Sequence, residues 1–132
     1  MAKYPYFSPD NKTLKPWIKI SLGYRETHKV SPGVIALIDS GADVCFCKED
    51  IGIWLGIKFS KKEPTIFTTA NRSTFRAQKE AVTIYACGKK YDCLFYFTND
   101  LPHETPIILG QLGFFDRFKI TFDLKNKEME IL

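Results

Sequence analysis

Asp39 follows five consecutive apolar residues, Val34-Ile35-Ala36-Leu37-Ile38, and precedes Ser40-Gly41-Ala42. A continuous, partly β-branched apolar run of that length reads as a strand buried on both faces. A carboxylate at its end is not ordinary solvated surface, because burying a charge is costly unless hydrogen bonds or a partner compensate. The next residues can supply them, through the Ser40 hydroxyl and the backbone N–H groups of Gly41 and Ala42 in a turn. An acid held this way is a candidate for general acid–base chemistry. The alternative is an Asx-turn or helix-cap residue that closes the strand. Near the C-terminal end a second apolar run, Ile107-Ile108-Leu109, ends in Gly110 and is followed by Gly113 to Phe118, which suits a short helix.

Other reactive side chains lack a matching frame. Cys45 and Cys47 would share one face of a strand, and Cys87 and Cys93 flank a hairpin. Neither pair has the spacing that usually marks a zinc site, so the four read as small buried hydrophobes and no metal is expected. His28 and His103 fall in loops, and a Cys–His nucleophilic pair has little to recommend it. Ser40 lacks the Gly-x-Ser-x-Gly frame of a hydrolase nucleophile.

The elements that must position Asp39 are mostly strands. Trp17 to Leu22 alternates in part, and Ser31-Pro32-Gly33 marks a turn. Lys48 to Ile57 suits a short helix with Ile51, Trp54 and Leu55 on one side. Thr65 to Ala70 and Thr74 to Ala86 read as two strands joined at Asn71-Arg72-Ser73, and Gly88-Lys89 as the next hairpin turn. Tyr91 to Thr98 is an aromatic strand, more suited to a barrel wall than to stacking bases. Lys119 to Asp123 alternates, turns at Lys125-Asn126 and returns through Glu128 to Leu132. Many short strands with one or two short helices make a barrel or sandwich. Residues 1–14, with Pro5 and Pro9, read as an N-terminal arm or edge strand, and 15–132 as one domain.

Composition narrows the function. The 132 residues suffice for one domain, and a hydrophobic share of 45% argues against disorder. The net charge is +4, but Lys and Arg are scattered, with Lys61-Lys62 and Lys89-Lys90 the adjacent lysine pairs, so nucleic-acid binding is not expected. The longest apolar run is far shorter than the roughly 20 residues a membrane helix needs. The N-terminus shows no basic-then-apolar signal pattern, and a cytoplasmic protein with reduced thiols is expected.

The segments Ala36-Leu37-Ile38-Asp39-Ser40-Gly41-Ala42-Asp43 and Ile108-Leu109-Gly110, the latter followed by Gly113-Phe114-Phe115-Asp116, resemble the retropepsin-like aspartic proteases, single-lobe relatives of the retroviral proteases and the two-lobed pepsins. The resemblance covers roughly residues 15–132 and implies a closed acid-protease barrel with a flap hairpin. It implies an aspartic endopeptidase that acts on polypeptides and needs no cofactor. Its chemistry uses two carboxylates that share a proton, because like charges about 3 Å apart cannot both ionise easily. With a single Asp-Ser-Gly in the chain, the second carboxylate must come from Asp39 of a symmetry mate, which makes the enzyme a homodimer.

By the same resemblance Asp39, Ser40 and Gly41 are the catalytic turn, with the Ser40 hydroxyl bonding across to the opposite loop. Ala42 and Gly110 lie beside substrate, and Ala70, Asn71, Arg72 and Ser73 form the flap tip over it. The chain departs from the viral pattern in three places. The flap tip is not glycine-rich, Gln111-Leu112 stands where viral enzymes carry Arg then Asn or Asp, and a hairpin follows Phe118. The first two departures favour a second reading, a binding or adaptor module that keeps the barrel without turnover.

Overall fold

The alternating and aromatic runs pair into two sheets in the computed structural model, which describes residues 2–61 and 63–132. Met1, counted above in the N-terminal arm, and Lys62, one of the paired lysines, lie outside the described residues. The larger sheet contains β2 (Trp17–Tyr24), β3 (Lys29–Val30), β4 (Val34–Ile38), β5 (Cys45–Lys48), β6 (Thr65–Thr68), β7 (Thr74–Ala86), β8 (Lys89–Thr98) and β9 (Ile107–Leu109). Its order is β3-β2-β4-β9-β5-β8-β7-β6, and β2 also pairs with β7, so β2, β4, β9, β5, β8 and β7 close into a six-stranded barrel. Closure removes the free edges that an open sheet would present. The fold is mostly β, as the sequence suggests.

Inward-facing Ile20, Leu22, Ile84, Phe95, Phe97, Ile107 and Leu109 fill the barrel and are almost entirely buried. A second sheet, of order β1-β11-β10, joins β1 (Ala2–Pro5), β11 (Glu128–Ile131) and β10 (Ile120–Asp123). The opening residues thus pair with the closing ones, Ala2 opposite Ile131 and Pro5 opposite Glu128. Met129 and Ile131 extend the same core, and Tyr4 and Tyr6 pack against it.

Several local expectations shift. Gly113 to Phe118 is a run of turns and not a helix. Gly113 has φ +108, outside the helical region, and Phe115 N–H and Asp116 N–H donate five residues back, to the carbonyls of Gly110 (3.2 Å) and Gln111 (3.1 Å). The β7–β8 turn is Cys87-Gly88, one residue earlier than Gly88-Lys89. Both turn residues have positive φ, the geometry whose twist matches a two-residue hairpin. The expected helix at Lys48 to Ile57 is the shorter α1 (Glu49–Trp54), followed by a 3₁₀ turn at Phe59–Lys61. β4 is not buried on both faces: Ala36 and Ile38 point into the barrel, while Val34, Ile35 and Leu37 are half-covered.

All four cysteines are free thiols. Burial pushes Cys45 up from 9.0 to about 11 and Cys93 to about 12, and raises Cys47 and Cys87 as well. The folded state therefore keeps thiol protons that the unfolded chain releases. That stabilisation is complete below the unfolded value of 9.0 and is lost as the pH rises through the folded values. The urea midpoint is expected to fall steadily from about pH 9 to about pH 11, and a flat midpoint across that range would contradict the burial of these thiols.

Candidate active site

The chain leaves the barrel at Ile38 and turns back at once. Asp39 N–H donates to the Leu109 carbonyl (3.0 Å), and the Asp39 carbonyl accepts from Ala42 N–H (3.2 Å). The Asp39 carboxylate accepts from Gly41 N–H at 2.9 Å. This is the side-chain-to-backbone bond of an Asx-turn, the local role that the sequence also allows for Asp39. It does not compete with a chemical role, because it uses one acceptor site of a carboxylate that has about four. Asp39 is half-buried and Ser40 and Gly41 are exposed, so the turn faces outward from a single chain and is not sealed within it.

β9 is inserted between the two strands that the turn connects. It runs parallel to β4, with Leu37 opposite Ile108, and antiparallel to β5, with Phe46 opposite Ile108. The chain beyond β9 then clamps the turn. Gln111 N–H donates to the Ala42 carbonyl (2.8 Å) and Leu112 N–H to the Asp43 carbonyl (3.0 Å). The Gln111 side-chain amide donates to the Ser40 carbonyl at 2.7 Å. Sequence reasoning saw Gln111 only as a departure from the viral pattern. Its bracing of Ser40 depends on a contact between distant parts of the chain that no local pattern announces.

Gly110 is buried under this clamp, where an added Cβ would lie 2.2 Å from the Val44 carbonyl oxygen and 2.6 Å from that of Ala42. Cys45 fills the space behind, accepting from Gly110 N–H at 3.4 Å. Asp39, Ser40, Gly41, Ala42 and Gly110 are thus brought together in one hydrogen-bonded unit.

Ala70, Asn71, Arg72 and Ser73 sit at the exposed tip of the β6–β7 hairpin, whose first strand ends at Thr68 and not at Ala70. The tip is closed by Thr69 N–H to the Ser73 carbonyl (2.8 Å), and Arg72 adopts φ +67. The Asn71 side-chain oxygen accepts from Ser73 N–H at 3.1 Å and from both neighbouring hydroxyls, Thr69 and Ser73, at 2.5 Å. A polar side chain thus supplies the turn that glycines would otherwise make. Asn71→Ala removes these acceptors, and an opening cost smaller by ~1 kcal/mol should speed exchange of the Ser73 amide about fivefold. Unchanged exchange would mean that the turn is held by its backbone alone.

The hairpin is rooted by aromatic rings. Phe67 of β6 stacks on Phe75 of β7 (5.3 Å), and both meet Phe46 of β5, at 5.1 and 5.7 Å, while Tyr96 of β8 closes on Phe67 at 5.2 Å. β5 is the strand that leaves the Asp39 turn, so turn and hairpin share one support.

No family model matches the sequence, and no curated protein does. Solved structures do. A retropepsin-like aspartic protease from Rickettsia conorii superposes over 100% of this chain and 99% of its own, with a TM-score of 0.67 at 18% identity. EIAV protease complexed with the inhibitor HBY-793 aligns over 80% of this chain and 88% of its own, with a TM-score of 0.56 at 16% identity. The chain has the retropepsin-like fold. At these identities the likeness concerns the fold. Among the described residues no helix is long and apolar enough to cross a membrane.

Proposed function

We propose that this protein is an aspartic endopeptidase that hydrolyses peptide bonds at a dyad formed by Asp39 of two subunits. The observation that carries this reading is the outward-facing Asp39 turn, oriented by Gly41 N–H and clamped by Gln111 and Leu112. A carboxylate held rigidly on an exposed loop is incomplete as an acid–base device, and a two-fold mate supplies the second group.

Within such a pair, one carboxylate takes a proton from a bound water as the water attacks the peptide carbonyl carbon. The other donates its proton to the carbonyl oxygen. The proton shared by the pair belongs to neither residue alone. Ser40, exposed beside the acid, bonds across to the opposite loop, and Ala42 flanks the substrate backbone, while Gly110, expected beside substrate, is buried beneath the turn and lets the two segments pack closely there. The β6–β7 hairpin closes over the peptide with Ala70–Ser73 at its tip and excludes water.

The adaptor reading draws on one observation, the flap tip tied into a turn by Asn71. Sedimentation with and without a peptide mimic carrying a central hydroxyl separates the two. An enzyme is expected to bind the mimic as a dimer, because such a group imitates the tetrahedral intermediate. A strict monomer that ignores the mimic at every concentration would defeat the dyad and leave the module.

A further inference from the structure

Along β2, Trp17 pairs with Leu37 beside the Asp39 turn, and Gly23 and Tyr24 lie at the other end. At ~3.3 Å per residue the two ends are roughly 20 Å apart. Here a concavity of about 210 Å³ is lined by Arg25, His28, Lys29 and Lys90, with Tyr85 as a wall. Three of the basic side chains have a partner at the surface. Arg25 pairs with Asp92 at 2.5 Å, and Asp92 accepts from the Thr83 hydroxyl at 2.8 Å. Lys29 Nζ donates to the Trp54 carbonyl (3.3 Å) and lies 5.5 Å from the centre of the indole ring. Lys90 Nζ lies 5.6 Å from the centre of the Tyr85 ring.

We propose that this concavity binds a phosphate-type dianion, such as a phosphomonoester group. Arg25, Lys29 and Lys90 are exposed and bring three positive charges to its rim, Asp92 offsets one of them, and the His28 ring adds nitrogen atoms. An ammonium that gives one hydrogen to a carbonyl keeps two more for a ligand. The surroundings limit the ligand to a single anionic group, because the adjoining concavity is lined by Glu26, Glu80 and Asp92, which repel an extended polyanion. The site lies apart from Asp39 and does not depend on the peptidase reading.

The experiment titrates inorganic phosphate into the 15N-labelled full chain at low ionic strength and follows backbone amides. Saturable shifts confined to Gly23, His28–Val30 and Lys90 are expected, with a Kd in the range of about 1–10 mM. The double variant Lys29→Gln, Lys90→Gln should weaken binding by about tenfold or more, with amides elsewhere unmoved as a check on folding. Several results would overturn the proposal: shifts that stay linear in phosphate, an equal response to acetate at matched ionic strength, or unchanged affinity in the double variant. Affinity for a short single-stranded oligonucleotide that grows with its length would overturn it in favour of a polyanion surface.

Discussion

Asp39→Asn is expected to lower peptide hydrolysis by ~10⁴-fold or more, at the upper end of what positioned acid–base groups contribute. The substitution is nearly isosteric and preserves the local structure. The asparagine oxygen still accepts from Gly41 N–H, a bond of 2.9 Å, and the backbone bonds to Leu109 and Ala42 do not involve the side chain. Stability should therefore change by less than ~1 kcal/mol. What is lost is the exchangeable proton, since a carboxamide neither takes a proton from water nor gives one to a carbonyl oxygen at moderate pH.

Subunit mixing sharpens the test. A dimer of one wild-type and one variant chain holds one carboxylate and lacks the second. Random exchange with an equal amount of variant should then reduce the activity of a fixed quantity of wild-type chain to about half. A catalyst contained within one chain would not respond to the variant. Hydrolysis that survives Asp39→Asn would remove Asp39 from the chemistry altogether.

The Asp39 turn was readable because two local signals coincide there: an apolar run that must be a strand, and an acid with Ser-Gly directly after it. The β6–β7 hairpin was readable as two strand-like runs joined by the polar Asn71-Arg72-Ser73. What local pattern did not carry is which strands become neighbours. The insertion of β9 between β4 and β5, the closure of β2 on β7 and the pairing of β1 with β11 all join residues far apart in the chain. Gly113 to Phe118 forms turns and not the expected short helix, although Phe114, Phe115 and Phe118 have helical spacing. In the fold that spacing serves a turn packed by rings, with Phe114 and Phe118 4.8 Å apart, while Tyr91 donates its hydroxyl hydrogen to the Gly113 carbonyl at 2.7 Å. The expected burial of Asp39 also overshot. Apolarity of β4 indicates a barrel strand, but the outer face of that strand is only half-covered and the turn beyond it is open.

Gly110→Ala is the substitution expected to damage the fold most for the fewest added atoms. Three positions separate cleanly by what a methyl group would meet. At Gly88 it would meet nothing within 4 Å, and the cost there comes from φ +75 alone, of the order of 1 kcal/mol. At Gly41 it would lie 3.2 Å from the Asp39 carboxylate oxygen, a side-chain atom that can shift by a few tenths of an ångström. At Gly110 it would lie 2.2 Å from one carbonyl oxygen, 2.6 Å from another and 2.8 Å from a carbonyl carbon, all backbone atoms of the Ala42–Val44 segment. Those atoms cannot yield separately, because Gln111 and Leu112 bond the same segment to the chain just after Gly110. Relief requires the Asp39 turn to lift away from β9, breaking the clamp. A loss of ~3 kcal/mol or more is expected in chemical denaturation, beyond ordinary overpacking, with activity abolished even where the barrel survives. The result separates the two roles of the clamp. Gln111→Ala deletes the bond to Ser40 without steric conflict and should cost only ~1 kcal/mol. If Gly110→Ala were equally mild, the close approach of the two segments would not be what holds Asp39 in place.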